Sequence, residues 1–296
     1  MTSIPKNYMN RKIVIDLGAL HNYGDEYAIL KLLKDCGVSS YDATLFWKGT
    51  TEHIGVGKDY PEKAKKLRLY ADSLGMTCEQ AHAYFTGGIS EEAMRNRYDF
   101  IPKEMHIASI LGAKAIVIHA INEFSFEENI EYIKTFIPYA HKYDIKIAVE
   151  NCWGAKDSKP CPMTTSTPES FVKFLDTIND DHVIACLDIG HAEMNQLGTS
   201  AASMIKALGP RLFCLHIHDN DKWCDAHQMP YTHKIPYATI LKELKNINYQ
   251  GNITFEVETC YSKGECPEAQ LPLELYPAFI KLELEIGKYF ANYLDK

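Results

Sequence analysis

The feature that most constrains this chain is an alternation. Short apolar runs suited to buried strands recur eight times, and each is followed by a stretch with helical spacing. The runs are Lys12–Gly18, Tyr41–Trp47, Thr77–Ala83, Ala115–Ala120, Ile145–Asn151, Val183–Asp188, Leu212–His218 and Ile253–Glu258. Helical spacing covers Glu26–Cys36, Pro61–Leu74, Glu91–Leu111, Phe126–Tyr143, Ala201–Leu208, Tyr237–Asn246 and Leu273–Leu294, with a further helix opened by Thr167 as cap and Pro168 at its first position. Strands that alternate with helices imply a parallel sheet, and eight such units predict a single (β/α)₈ TIM barrel spanning 1–296 as one domain. An open doubly wound sheet is the competing architecture, but no Gly-x-Gly-x-x-Gly turn follows the first run. Links after helices are short and turn on Gly37, Gly75 and Gly112, whereas four links after strands are long: 48–60, 152–166, 219–236 and 259–272. In a barrel of this kind the loops after strands build the active face.

Six consecutive runs end on residues able to hold a metal ion or a proton: His82, His119, Glu150, Asp188 with His191, His216, and Glu256. Side chains alternate faces along a strand, so the same-face neighbour below each of the last four strand ends is Ala148, Cys186, Cys214 and Thr254. All are small, as a crowded barrel axis requires. One strand-end histidine by itself is most often a hydrogen-bonded rim residue, and a strand-end carboxylate often caps the next helix; six in succession point to one ligand-lined bowl. Glu150, Asp188, His216 and Glu256 offer three oxygens and one imidazole, a set suited to a divalent ion, Mn²⁺ first, with Mg²⁺, Co²⁺ or Zn²⁺ as alternatives.

Net charge is −8, which excludes nucleic-acid binding through the overall field of the surface. The nine cysteines include no Cys-x-x-Cys pair and several fall inside apolar runs, the pattern of reduced thiols in a cytoplasmic protein. No run reaches transmembrane length. Exposed apolar residues and the C-terminal helix allow a homo-oligomer of unstated order.

The stretches Glu150-Asn151-Cys152-Trp153-Gly154, Leu187-Asp188-Ile189-Gly190-His191, His216-Ile217-His218-Asp219 and Ile253-Thr254-Phe255-Glu256 resemble the sugar phosphate isomerase/epimerase family of the xylose isomerase-like barrel superfamily, which includes the ketose 3-epimerases. The resemblance implies that Glu150, Asp188, His216 and Glu256 hold the metal, that His191 contacts substrate oxygens, and that Glu150 and Glu256 transfer protons. Chemistry agrees: a metal gripping a carbonyl and its adjacent hydroxyl stabilises an enediolate, and a carboxylate on each side of the carbon between them can remove and return a proton. The expected substrate is a small ketose or keto-sugar, with His82, His119, His227, Lys222 and Trp153 as binding residues. Lys156 and Lys222 stand where the ketose 3-epimerases carry a substrate-binding glutamate and an arginine. A keto-sugar lyase or dehydratase could use the same site.

A second resemblance is to the apurinic endonucleases of the same superfamily, whose three-metal cluster would add His82, His119, Asp225 and His227. Against it, none of the five arginines (11, 68, 95, 97, 211) lies in an active-face loop, and the lysines there (48, 58, 156, 159, 222, 234, 263) are scattered among acids. The same lack of arginine disfavours a phosphorylated substrate. Trp47, Trp153 and Trp223 fall on or just after strand ends, where they could wall a sugar pocket.

Overall fold

The computed structural model describes residues 11–45, 54–55, 57–85, 87–258 and 271–296; Trp47, Lys48, Cys260, Lys263, Cys266 and most of the loops 48–60 and 259–272 lie outside them. Eight strands run parallel: β1 (Ile13–Asp16), β2 (Ser40–Thr44), β3 (Thr77–His82), β4 (Ala115–His119), β5 (Lys146–Glu150), β8 (Val183–Asp188), β9 (Leu212–His216) and β10 (Ile253–Phe255). Their order is β10-β1-β2-β3-β4-β5-β8-β9. The ring is drawn closed where the Ile217 amide donates to the Thr254 carbonyl (2.9 Å) and the Glu256 amide to the Ile217 carbonyl (3.2 Å). Helices α1 (Glu26–Asp35), α2 (Tyr60–Ser73), α3 (Glu91–Leu111), α6 (Pro168–Ile178), α8 (Ala201–Leu208), α9 (Tyr237–Asn246) and α10 (Tyr276–Asp295) alternate with these strands. This is the TIM barrel expected from the alternation.

Alternation along the strands sorts the interior into two cores. Outward-facing residues such as Ile116, Ile147, Val149, Leu187, Leu215 and Phe255 pack under the helices. Axis-facing residues Ala115, Val117, Ala148, Cys186 and Cys214 form a separate buried cluster on β4, β5, β8 and β9. The opposite side of the axis is polar: the Gln80 amide donates to Asp42, and the Thr254 hydroxyl donates to the Gln80 carbonyl oxygen at 3.2 Å. Small residues beneath β5, β8, β9 and β10 let the strands close tightly and carry the next residue of each to the rim.

Three local features depart from the sequence reading. Expected helix Phe126–Tyr143 is two, α4 (Phe126–Lys134) and α5 (Ile137–Tyr143). Pro138 lacks the amide that would bond to the Lys134 carbonyl, and its ring crowds that carbonyl, so the helix restarts with proline in its first turn. The loop 152–166 contains an antiparallel hairpin, β6 (Gly154–Lys156) with β7 (Lys159–Cys161). Directly after β8 comes a single helical turn, α7 (Ile189–Ala192), whose N-cap Asp188 accepts from the His191 amide at 2.6 Å. The cap at Thr167 forms as expected, accepting from the Ser170 amide.

Among the described residues Cys36, Cys78, Cys152, Cys161, Cys186, Cys214 and Cys224 are free thiols. No helix among them is long and apolar enough to cross a membrane.

Candidate metal centre

The strand ends meet as the alternation predicts. Glu150, Asp188, His216 and Glu256 each bring one ligand-type atom to within 4.8 Å of the others. His216 Nδ1 lies 3.3 Å from Glu150 Oε2 and 3.3 Å from Glu256 Oε2, so the two glutamates flank the imidazole. Its other nitrogen faces down the axis toward Asp42 Oδ2, 3.8 Å away.

Two more groups adjoin this tetrad. On one side, His82 Nε2 and His119 Nε2 are 3.0 Å apart, and both face Glu150 Oε2, at 3.5 and 2.9 Å. On the other, His191 Nε2 is 2.8 Å from Asp225 Oδ2, with His227 Nε2 3.5 Å from the same oxygen and His218 within the same cluster. Glu150 belongs to two of the three groups, and Asp188 touches the third through His218 Nε2 at 3.0 Å.

Backbone carbonyls aim the imidazoles. Nδ1 of His82, His191 and His227 lies 3.0, 2.9 and 3.0 Å from the carbonyls of Ala83, Asn151 and Glu256, which turns each Nε2 into the bowl. Asn151 does a second job: its side chain donates to the Asp188 carbonyl (2.9 Å) and accepts from the Asp188 amide (2.7 Å), locking the ends of β5 and β8 together. The buried hydroxyls of Thr165 and Ser166 fold the hairpin loop back by donating to the carbonyls of Glu150 (3.0 Å) and Cys152 (2.5 Å).

These groups fit metal ions. His82 Nε2 and His119 Nε2, 3.0 Å apart and both facing one carboxylate oxygen, are placed to share a cation. Glu150 Oε1, His216 Nδ1 and Asp225 Oδ1 are buried without a hydrogen bond, a costly arrangement that an ion would satisfy. Charge tells the same story. Burial lowers the affinity of His191, His216 and His227 for protons, yet the surrounding carboxylates outweigh it and lift all three well above the ordinary imidazole value. Burial pushes Glu150 up, but the imidazoles of His216 and His119 hold it well below the carboxylate range. Glu256 is pushed up to about 8, by burial first. The ring is poised to hold positive charge, as protons or as metal ions.

A pocket of about 450 Å³ opens onto this ring, lined by His82, Phe85, His119, Glu150, Trp153, His191, Asp225, His227 and Glu256. A cavity of similar size, about 460 Å³, lies at the other end of the barrel around Glu79, Lys114 and Asn252, and none of its lining residues belongs to a group of metal-ligand residues. Of the residues expected to bind substrate, His82, His119, His191, His227 and Trp153 line the pocket and Lys222 does not. Its ammonium donates to Glu193 Oε2 at 2.7 Å, and the backbone at Lys222 takes a positive φ of 73° that helps turn it there. His218 was not singled out from the sequence, although its position two residues after His216 was the available signal. Phe85, which packs 4.4 Å from the His119 ring, left no comparable trace.

The chain is 34% identical over 91 residues to a D-psicose 3-epimerase of Enterocloster bolteae, a stretch covering 31% of this chain and 28% of that protein. Across the curated relatives it matches, the aligned stretch spans between 28% and 51% of their own length. Among solved structures, a D-psicose 3-epimerase of Clostridium cellulolyticum H10 with D-tagatose superposes with a TM-score of 0.70 at 14% identity, covering 95% of this chain and 99% of that one. The zinc-bound IolI protein superposes at 0.71 with 18% identity, covering 96% and 98%. A family model described as xylose isomerase-like TIM barrel matches residues 30–273, and the chain belongs to that family.

Proposed function

We propose that this protein is a divalent-metal-dependent isomerase or epimerase that abstracts a proton next to a carbonyl of a ketose or keto-sugar and proceeds through an enediolate. One observation carries the reading: Glu150 and Glu256 stand on either side of His216 Nδ1, 3.3 Å from it each, at the base of a pocket of about 450 Å³. Glu150, Asp188, His216 and Glu256 would hold a divalent metal ion, with Mn²⁺ as first choice and Zn²⁺, Co²⁺ or Mg²⁺ as alternatives, which would supply Lewis acidity beside the substrate carbonyl. Glu256, 13% exposed, takes and returns the proton from the pocket side, where it can exchange with solvent. Glu150, fully buried, serves the opposite face. His82, His119, His191 and His227 present ring nitrogens to substrate hydroxyls, and Trp153 and Phe85 wall the sugar ring. The epimerase relative supports the substrate class. We place the protein in the cytoplasm, where its free thiols stay reduced.

The test is proton NMR in D₂O with the Mn²⁺-reconstituted protein exchanged into Mg²⁺ and a panel of ketoses and 3-keto-sugars. Deuterium entering the carbon beside the carbonyl supports the reading, and the products separate epimerase, isomerase and lyase. Glu150→Gln and Glu256→Gln should each lower exchange by about 10²-fold or more, the size of a general acid–base contribution. Near-normal exchange in either variant removes that residue from proton transfer.

A phosphodiester hydrolase is the second reading, and the three adjoining ligand groups are what favour it: His82, His119 and Glu150, then the tetrad, then His191, Asp225 and His227. It predicts three metal ions in this ring and cleavage of DNA at an abasic site. One ion in the ring and no cleavage leaves the sugar reading alone.

A further inference from the structure

At the end of the barrel opposite the pocket, the links that lead into β5 and β8 bring a second kind of ligand cluster together. His141 stands in the last turn of α5 and Asp144 caps that helix with a positive φ of 49°. Asp180 and His182 belong to the link between α6 and β8, about forty residues further on. His141 Nε2 lies 3.0 Å from Asp180 Oδ2, His182 Nδ1 lies 3.9 Å from Asp180 Oδ1, and His182 Nε2 lies 3.7 Å from Asp144 Oδ1. The two imidazoles face each other at 4.1 Å between centroids, tilted by 47°.

We infer that His141, Asp180 and His182 form a zinc site, separate from the pocket, that staples α5 to the α6–β8 link. Bonds of about 2.0–2.2 Å in a tetrahedral zinc site put neighbouring ligand atoms roughly 3.3 Å apart. One ligand atom from each of the three residues already lies within 4.8 Å of the others. A small rotation of the exposed His141 ring closes the remainder. The site also has an unmet need: His182 Nδ1 is buried and makes no hydrogen bond. An ion there would pair it.

The backbone around the cluster is already fixed, which lowers the ordering cost of binding. The His182 amide donates to Asp180 Oδ1 at 2.8 Å, the Ile147 amide donates to the His182 carbonyl at 2.7 Å, and the Val183 amide donates to the Asp180 carbonyl at 2.9 Å. Asp180 Oδ2 is therefore the oxygen available to the ion, which would replace its contact with His141. Asp144, fully exposed, faces His182 Nε2 rather than Nδ1, so the fourth position falls to water. Two imidazoles with a carboxylate suit zinc better than magnesium or calcium. The location suits a structural role, since the face of a TIM barrel opposite its active site carries stability. An ion bound only by the folded state raises the unfolding midpoint by mass action.

The experiment measures zinc per chain, after equilibrium dialysis of the full chain, in wild type, Asp180→Asn and the double variant His141→Ala/His182→Ala. Asparagine keeps the Oδ1 acceptor for the His182 amide, so Asp180→Asn leaves the turn intact. Wild type should hold one more zinc than the double variant, and Asp180→Asn should bind that ion about tenfold more weakly or worse. Added zinc should raise the thermal midpoint of wild type more than that of either variant. Equal zinc counts in all three proteins would overturn the proposal. Should the double variant misfold, anomalous diffraction from zinc-soaked wild-type crystals decides: a peak between His141 and His182 supports the site, and no peak at saturating zinc refutes it.

Discussion

Replacing Glu104 with glutamine isolates a single buried carboxyl group. Glu104 lies on α3, 3% exposed, and its carboxyl accepts the Tyr84 amide at 2.7 Å. That bond fixes the backbone between His82, at the end of β3, and Phe85, at the pocket wall. Burial pushes its pKa up from 4.5 to about 8, with the Tyr84 amide and His82 opposing. The folded protein therefore keeps a proton that the unfolded chain releases. Its contribution to stability is fully present below pH 4.5 and is lost as pH rises through about 8. Each pH unit in that window costs about 1.4 kcal/mol, so the loss reaches about 3 kcal/mol at pH 7 and levels off near 5 kcal/mol. Glutamine has the same shape, keeps an oxygen for the Tyr84 amide and has no proton to lose. In urea unfolding of the metal-free protein, the stability of Glu104→Gln minus that of wild type should grow by about 3 kcal/mol between pH 4.5 and 7. Asp42 and Glu256, also raised by burial, are present in both proteins and largely cancel from the difference. A difference that stays constant with pH would refute the reasoning, because Glu104 would then be ionised in the fold.

Three further outcomes are expected. A methyl group at Gly190 would overlap the ring of His218, which bonds Asp188 at 3.0 Å, so Gly190→Ala should cost about 1–3 kcal/mol in urea unfolding and weaken metal binding about tenfold or more in calorimetric titration. Lys222→Ala leaves the buried carboxylate of Glu193 without its ammonium partner; stability should fall by about 1–3 kcal/mol while KM stays unchanged, and a large rise in KM would return Lys222 to the substrate site. Dialysis against a chelator should lower the thermal midpoint and abolish deuterium exchange, with both restored by Mn²⁺, because ions bound only to the native ring stabilise it by linkage.

The barrel was readable because strand and helix periods are properties of local sequence. Counting in twos from Glu150, Asp188, His216 and Glu256 reached Ala148, Cys186, Cys214 and Thr254, and all four are buried beneath the ring. Pro138 was equally visible, yet the apolar spacing of 126–143 ran straight across it and concealed the break between α4 and α5. Lys222 turns from the pocket for a different reason. It sits in an irregular loop where no period tells which way a side chain turns, and a positive φ together with Glu193 decides it.

The candidate centre shows why the gathering of some ligand-type residues could be read from sequence and that of others could not. His82, His119, Glu150, Asp188 and His216 are the last residues of β3, β4, β5, β8 and β9, and Glu256 directly follows β10; a closed parallel barrel must gather such residues at one rim whatever their separation in sequence. His218 is two residues past His216 and so shares its face, but Ile217 already belongs to the closure of the barrel, and Gly190 leaves the space in which the His218 ring sits. Asp225 and His227 come from the loop after β9 and are held there by the Glu256 carbonyl and the His191 ring. Their residue types were visible in sequence, but their arrival depends on contacts that only the folded rim supplies. The strand-end residues define the tetrad on which proton transfer is proposed, while the loop residues Asp225 and His227 create the third group. The choice between sugar and phosphodiester chemistry therefore turns on whether His191, Asp225 and His227 hold a metal of their own.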